Sequence, residues 1–175
     1  GGDRMEIAVT QDPGTALVVT TQTAERAYRS TSGRARVTTR FQVGAGGHLD
    51  LLPQETILFD RAALYREQDI ALEGDATCLW VETLILGRAA MGEVVHRLDL
   101  RERRRITRDG RPVFIENLRL EDAALLGRDS PATLAGCRAF ATLVLVSPAA
   151  ADRLERARAA LGNAGAASAS DGKPV

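Results

Sequence analysis

Aromatic residues make up only 4% of this 175-residue sequence, and its basic and acidic side chains balance at 23 each. The first shortage argues against a base-stacking surface. The second leaves no global field to recruit DNA or an anionic membrane. The two cysteines, Cys78 and Cys137, stand far apart with no C-x-x-C pair. That spacing excludes a disulfide framework or structural zinc site and predicts reduced thiols in the cytosol. No apolar run is long enough to span a bilayer, and Gly1-Gly2-Asp3-Arg4 lacks the form of a signal peptide. His48 and His96 have no neighbour at ligand spacing, and neither a G-x-S-x-G elbow nor a P-loop occurs. The expectation is a cytoplasmic protein that binds neither nucleic acid nor membrane.

What is present is a succession of short β-prone runs with a turn signal every ten residues or so, which predicts an all-β body. Met5 to Thr10 and Ala16 to Thr21 flank Asp12-Pro13-Gly14 and read as a hairpin. Arg34 to Val43 alternates strictly, with Ala35, Val37, Thr39, Phe41 and Val43 on one face. His48 to Leu52, Glu55 to Phe59 and Ala63 to Leu72 follow. Cys78 to Val95 reads as two strands folding back through Gly87-Arg88 and Gly92-Glu93. Asp109-Gly110 between two strands is the clearest hairpin cue. Leu134 to Val146 is apolar enough to be buried on both faces. Ser147-Pro148 predicts the start of a helix that ends at Gly162.

Three carboxylates interrupt these apolar runs. Glu82 shares phase with Cys78, Trp80, Leu84 and Leu86; Glu116 shares phase with Phe114 and Leu118; Glu93 stands where the apolar run resumes. Inward acids of this kind line a polar passage or hold a cation, or else are neutralised by an arginine such as Arg88, or face solvent. A glycosidase-like carboxylate pair is the enzymatic version of the same residues, but nothing in the sequence fixes their separation. Arg101-Glu102-Arg103-Arg104-Arg105 is expected on a solvated edge strand, where charge deters aggregation.

In order along the chain, Gly1-Gly2-Asp3, Thr20-Thr21, Tyr28-Arg29-Ser30, Leu52-Pro53-Gln54-Glu55-Thr56-Ile57-Leu58-Phe59, Leu86-Gly87-Arg88, Gly92-Glu93 and Ile115-Glu116-Asn117-Leu118 resemble the UreD family of urease accessory proteins, called UreH in some bacteria. Two positions depart from the family pattern: Arg26, where lysine is usual, and Arg61, where glycine is frequent. The resemblance implies a strand-rich, β-helix-like solenoid with one or two helices late in the chain. It implies a single domain over residues 1–161, part of a longer protein, with 162–175 a flexible tail or the lead-in to a further strand. It also implies a non-enzymatic role: binding apo-urease with UreF and the GTPase UreG, and assisting nickel insertion with no permanently bound cofactor. On that reading Asp3, Thr20, Glu82, Glu93 and Glu116 mark a passage for transient nickel, with Arg88 in a structural ion pair. A purely structural adaptor is the alternative.

Overall fold

The computed structural model describes residues 1–170, and eleven strands follow one another in that span. They are β1 (Arg4–Gln11), β2 (Ala16–Val19), β3 (Glu25–Ala27), β4 (Ala35–Val43), β5 (His48–Leu51), β6 (Thr56–Leu58), β7 (Ala62–Leu72), β8 (Thr77–Leu86), β9 (Leu98–Arg108), β10 (Arg111–Glu121) and β11 (Ala139–Val146). The strands build two sheets. In the first, β1, β4, β7 and β9 lie parallel in that order, and β10 adds antiparallel to β9. In the second, β5 and β6 lie end to end along the long β8, while β2 and β3 do the same along β5 and β6. β11 covers the other edge of β8, antiparallel.

The chain therefore alternates between layers, and each circuit stacks on the one before, which is the arrangement of a β-solenoid. Parallel neighbours demand such crossovers, since a tight hairpin joins only antiparallel strands. The corners stack as well as the strands. Gly14 N donates to Ala45 O (2.9 Å), Gly46 N to Asp75 Oδ1 (2.7 Å) and Gly74 N to Asp109 Oδ1 (2.8 Å). Gly44 is required by this stacking, because a Cβ there would lie 2.7 Å from Pro13 N.

Several expectations change for one reason: consecutive runs serve different layers. β1 and β2 are not a hairpin; they pair with β4 and β5 respectively. Cys78 to Val95 is not a hairpin either. β8 leaves its sheet at Gly87, a 3-10 turn spans Ala89–Met91, and the chain crosses to enter β9 in the first sheet. The Arg101–Arg105 run is not at an edge, because β9 lies between β7 and β10. Residues 134–138 precede rather than form a strand, and β11 buries only one side, leaving Leu143 64% exposed. The Asp-Gly hairpin does form: Asp109 and Gly110 take φ +50° and +77°, positive at both central residues, as a type I′ turn requires.

Two helical segments come late. α1 (Asp122–Leu126) follows β10 directly, and α2 (Leu154–Leu161) ends at Gly162. Ser147 Oγ accepts the Ala149 N–H (3.2 Å), but the segment it opens is a turn and a 3-10 stretch over Ala151–Arg153 before α2 begins. Of the expected tail, residues 171–175 lie outside the described residues.

Inward side chains from both sheets form two apolar clusters. One gathers Phe41, Val43, Leu49, Leu51, Ile70, Leu72, Cys78, Trp80 and Ile106. The other gathers Leu58, Leu64, Leu84, Leu86, Leu98, Leu100, Leu120 and Leu125. Burial pushes the Cys78 thiol up to about 12, with Asp50 adding to the shift, so it is an inert core group. What separates the two clusters is polar.

Candidate functional site

Strand register decides what lies between the apolar clusters. Across the first sheet, Ala35, Leu64, Leu100 and Leu120 form an apolar inward row, and Phe41, Ile70, Ile106 and Phe114 form another. Between them run two rows that the same alternation fills with polar groups: Val37, Arg66, Glu102 and Leu118, then Thr39, Gln68, Arg104 and Glu116. The facing sheet supplies the paired residues Glu25 and Thr56, and Glu82 and Thr142. Glu82 lies on β8 at the level where 52–55 interrupt the β5–β6 line.

These groups are bonded to one another. Arg66 Nη2 lies 2.7 Å from Glu82 Oε1, its Nε donates to Glu102 Oε1 (2.6 Å), and its Nη1 donates to Thr56 Oγ1 (3.0 Å) and reaches Glu25 Oε2 (3.4 Å). Arg104 joins Glu102 to Glu116 through its two Nη groups, and Thr142 Oγ1 donates to Glu116 Oε1 (3.3 Å). The Arg104 guanidinium also lies over the Trp80 ring, 5.1 Å from its centroid. Arg66, Glu82, Glu102 and Arg104 have side chains at most 4% exposed, whereas Glu25 and Glu116 at the two ends are 35% and 31% exposed. A line of charge thus crosses the solenoid along its stacking direction, from one accessible carboxylate to another.

Four carboxylates share this line with two guanidiniums, so it carries a surplus of acid. Burial raises the Glu82 pKa against the opposing pull of Arg66, and the Glu102 charge raises it further. Burial works against the Arg66 charge too, but Glu102 and Glu82 outweigh it and its pKa rises. Glu82 Oε2, Arg104 Nε, Trp80 Nε1, Gln68 Oε1 and Thr39 Oγ1 have no hydrogen-bond partner among the described residues. Since buried polar atoms are nearly always paired, the layer has bonding capacity to spare for a small polar or charged guest. As arranged, however, no three His, Cys, Asp or Glu side chains among the described residues converge as a metal site. Arg66 and Arg104 stand between the acids.

Of the residues the sequence singled out, the structure joins Glu82 and Glu116 in this layer and no others. Asp3 is 87% exposed beside the amino terminus, and Thr20 Oγ1 is exposed with one long contact to Thr21 O (3.5 Å). Glu82 pairs with Arg66 rather than Arg88, because β7 and not the β8 corner faces it. Neither Glu82 nor Glu116 is poised as a glycosidase acid, each being held by a guanidinium. Sequence reasoning missed Arg66, Glu102, Arg104, Glu25 and Thr56. For the first three the signal was there: the phase of Leu98 and Leu100 continues through Glu102, Arg104 and Ile106, and that of Ala62 and Leu64 continues through Arg66.

Glu93 and Arg88 belong to a separate corner, where β8 hands over to β9. Gly87 takes φ +69°, which turns the chain so that Glu93 Oε2 accepts from Arg88 N (3.2 Å) and Nε (2.8 Å). Glu93 Oε1 accepts from Asp60 N (3.2 Å). The Arg88 hydrogen bond, followed by the Asp60 and Arg88 amides, holds the Glu93 carboxyl below its ordinary range. Arg61 sits at φ +63°, left-handed backbone that glycine occupies freely and a side chain enters at a cost of about 1–2 kcal/mol. A side chain at this position therefore carries strain.

Comparison with known proteins gives the lineage. The family model described as UreD urease accessory protein matches residues 1–173. The chain is 53% identical over 176 residues to Urease accessory protein UreD of Cereibacter sphaeroides, covering 99% of this chain and 64% of that protein. Its identity to the protein of the same name from Paracoccus denitrificans is 49% over 177 residues, covering 99% and 63%. Against that of Rhizobium leguminosarum bv. viciae it is 49% over 178 residues, covering 100% and 64%. The chain spans under two thirds of the length of these relatives. With the family match running from the first residue through both charged regions, the chain belongs to the UreD family of urease accessory proteins.

Proposed function

We propose that this chain forms the core of a cytoplasmic, non-enzymatic scaffold for urease maturation, acting with UreF, UreG and apo-urease, and that its buried charged layer carries nickel through the solenoid. The observation behind the passage is the unbroken line from Glu25 through Arg66, Glu82, Glu102 and Arg104 to Glu116, set between two apolar clusters and open to solvent at both ends. Nickel is cargo on this reading. Carboxylates are adequate ligands for a divalent ion and, when few, weak enough to release it. The arginines hold the acids apart at rest, and an arriving cation replaces a guanidinium as the partner of Glu102 or Glu116. No helix among the described residues is long and apolar enough to cross a membrane.

The test uses the full-length protein carrying Glu102→Gln or Glu116→Gln. The expected result is normal assembly with UreF and apo-urease but urease activity at least about tenfold lower after nickel is supplied, a factor that corresponds to about 1.4 kcal/mol. Full activation by both variants removes the passage and leaves the scaffold. The adaptor reading draws on a different observation, that each fully buried acid already has an arginine. It expects the same variants to lose stability or partner affinity, with no separate defect in metal transfer. Asp3, Thr20 and Glu93 stand outside the line, so substituting them tests whether the passage extends beyond the solenoid interior.

A further inference from the structure

The corner that holds Glu93 has a feature the passage does not use. A surface cavity of about 600 Å³ is lined by Tyr28, Arg29, Phe59, Arg61 and Arg88, with Asp60 and Glu93 in its wall. The Tyr28 and Phe59 rings lie 4.7 Å apart, and the Arg88 guanidinium stacks over Phe59 at 4.6 Å. Both acids are turned inward. Asp60 Oδ1 accepts the His96 and Arg97 amides (2.7 and 2.9 Å), and Glu93 accepts the Asp60 and Arg88 amides and the Arg88 Nε–H (2.8 Å).

The arginines, by contrast, point outward. The Arg61 and Arg88 side chains are 49% and 45% exposed. The nearest approach of Arg61 to a carboxylate is 3.7 Å, to Asp60, and Arg29 makes no side-chain hydrogen bond or ion pair among the described residues. Elsewhere on the surface the arginines of β9 are matched by acids on neighbouring strands: Arg101 by Glu121, Arg103 by Glu67, Arg105 by Asp69. Here three guanidiniums gather around the exposed Tyr28 ring and the buried Phe59; Glu93 holds Arg88 through Nε, while Arg29 and Arg61 have no carboxylate within hydrogen-bonding distance among the described residues. Arg61 takes left-handed backbone here, a conformation a side chain adopts at a cost. Tyrosine and arginine in such a setting are the residues that anchor protein interfaces.

We propose that this corner is a docking site for a segment of a protein partner that presents a carboxylate beside an aromatic or aliphatic side chain. The carboxylate takes the Arg61 guanidinium and the Nη groups of Arg88, whose Nε stays with Glu93, a geometry that guanidinium forks match well. The apolar side chain lies on the exposed Tyr28 ring, which Phe59 backs. The inference extends the scaffold reading by naming a contact, and it does not depend on nickel passing through the layer.

Two measurements test it. In the first, the free protein is titrated with phenylacetate, a carboxylate beside a ring, while the arginine Nε–H resonances are followed by NMR. Saturable shifts at Arg61 and Arg88 with a Kd of about 1–10 mM are expected, with phenylacetamide at least about tenfold weaker and both effects lost in Arg88→Gln. The absence of saturable shifts at these arginines, or equal binding of the neutral amide, overturns the proposal. In the second, affinity for UreF and for apo-urease is compared between the full-length protein and its Arg61→Gly and Arg88→Gln variants. Arg61→Gly relieves the backbone, so its thermal midpoint rises while affinity for one partner falls about tenfold or more. Unchanged affinity for both partners overturns the docking site and leaves the scaffold standing. A wild-type protein that engages neither partner removes the scaffold reading instead, and the phenylacetate titration then decides the docking site alone.

Discussion

Strand β9 places the same kinds of charge in two different media. Its residues Arg101, Arg103 and Arg105 point outward and meet Glu121, Glu67 and Asp69 on the adjoining strands. Their neighbours Glu102 and Arg104 point inward, at most 3% exposed, into the network with Arg66, Glu82 and Glu116. On the outer face each charge stays partly hydrated and a pair adds little. On the inner face hydration is lost, and a charge is tolerable only because its partner and hydrogen bonds are in place. One strand thus shows that an ion pair's importance depends on what surrounds it rather than on its geometry alone.

Removal of one inward partner should have the largest effect. Arg66→Met leaves Glu82 without an ion-pair partner beside Glu102, which keeps only Arg104, and should lower unfolding free energy by about 3–5 kcal/mol in urea titrations. Replacing Arg66, Glu82, Glu102 and Arg104 together by apolar residues of similar volume should restore most of that loss or exceed wild-type stability. If the fourfold variant is as unstable as the single one, the layer is needed for folding, and its charges are not there for cargo alone.

A milder effect depends on pH. Because burial raises the folded-state pKa of Glu82, the folded protein holds that proton more tightly than the unfolded chain. The contribution to stability is therefore present below the ordinary value of 4.5 and is lost as pH rises through the raised folded value. Glu82→Gln cannot ionise, so stability relative to wild type should climb across that interval, as measured by denaturant titrations at a series of pH values. Glu93, whose pKa is lowered, has the opposite sign. Its contribution is present above 4.5 and disappears as pH falls through its lower folded value, so Glu93→Gln should converge on wild type in acid.

The smallest effects belong to the outer face. Arg103→Ala and Arg105→Ala should each change stability by less than about 1 kcal/mol, and added salt should shrink the difference further. A loss as large as that of Arg66→Met would show that the outward ladder is coupled to the core after all.

Much of this was legible in the residues. Strict alternation over Arg34 to Val43 and Cys78 to Leu86 placed the inward faces correctly, including the burial of Glu82 beside Trp80 and Leu84. Asp109-Gly110 specified its hairpin because the turn is local chemistry. The pairings of β1, β2 and β8 were not legible, because a short apolar run followed by a turn is compatible with a hairpin or with a crossover to another layer. Glu82 was suspicious on sight, yet its partner lies on β7, sixteen residues away in sequence and in the opposite sheet. The charged run on β9 misled for a related reason: consecutive charges suggest a solvated edge unless the alternation is carried through them.

Local residues were enough for most of the strands, for the inward faces of β4 and β8, for the β9–β10 turn and for the family, because each depends on residues close together or on an ordered series of them. Tertiary structure alone decided that Arg66, Glu82, Glu102, Arg104 and Glu116 form one layer and that Glu93 with Arg88 belongs to a different corner. The physical reason is parallel stacking. Register between strands some thirty residues apart brings like rows together, and nothing in a single run states which row it will join.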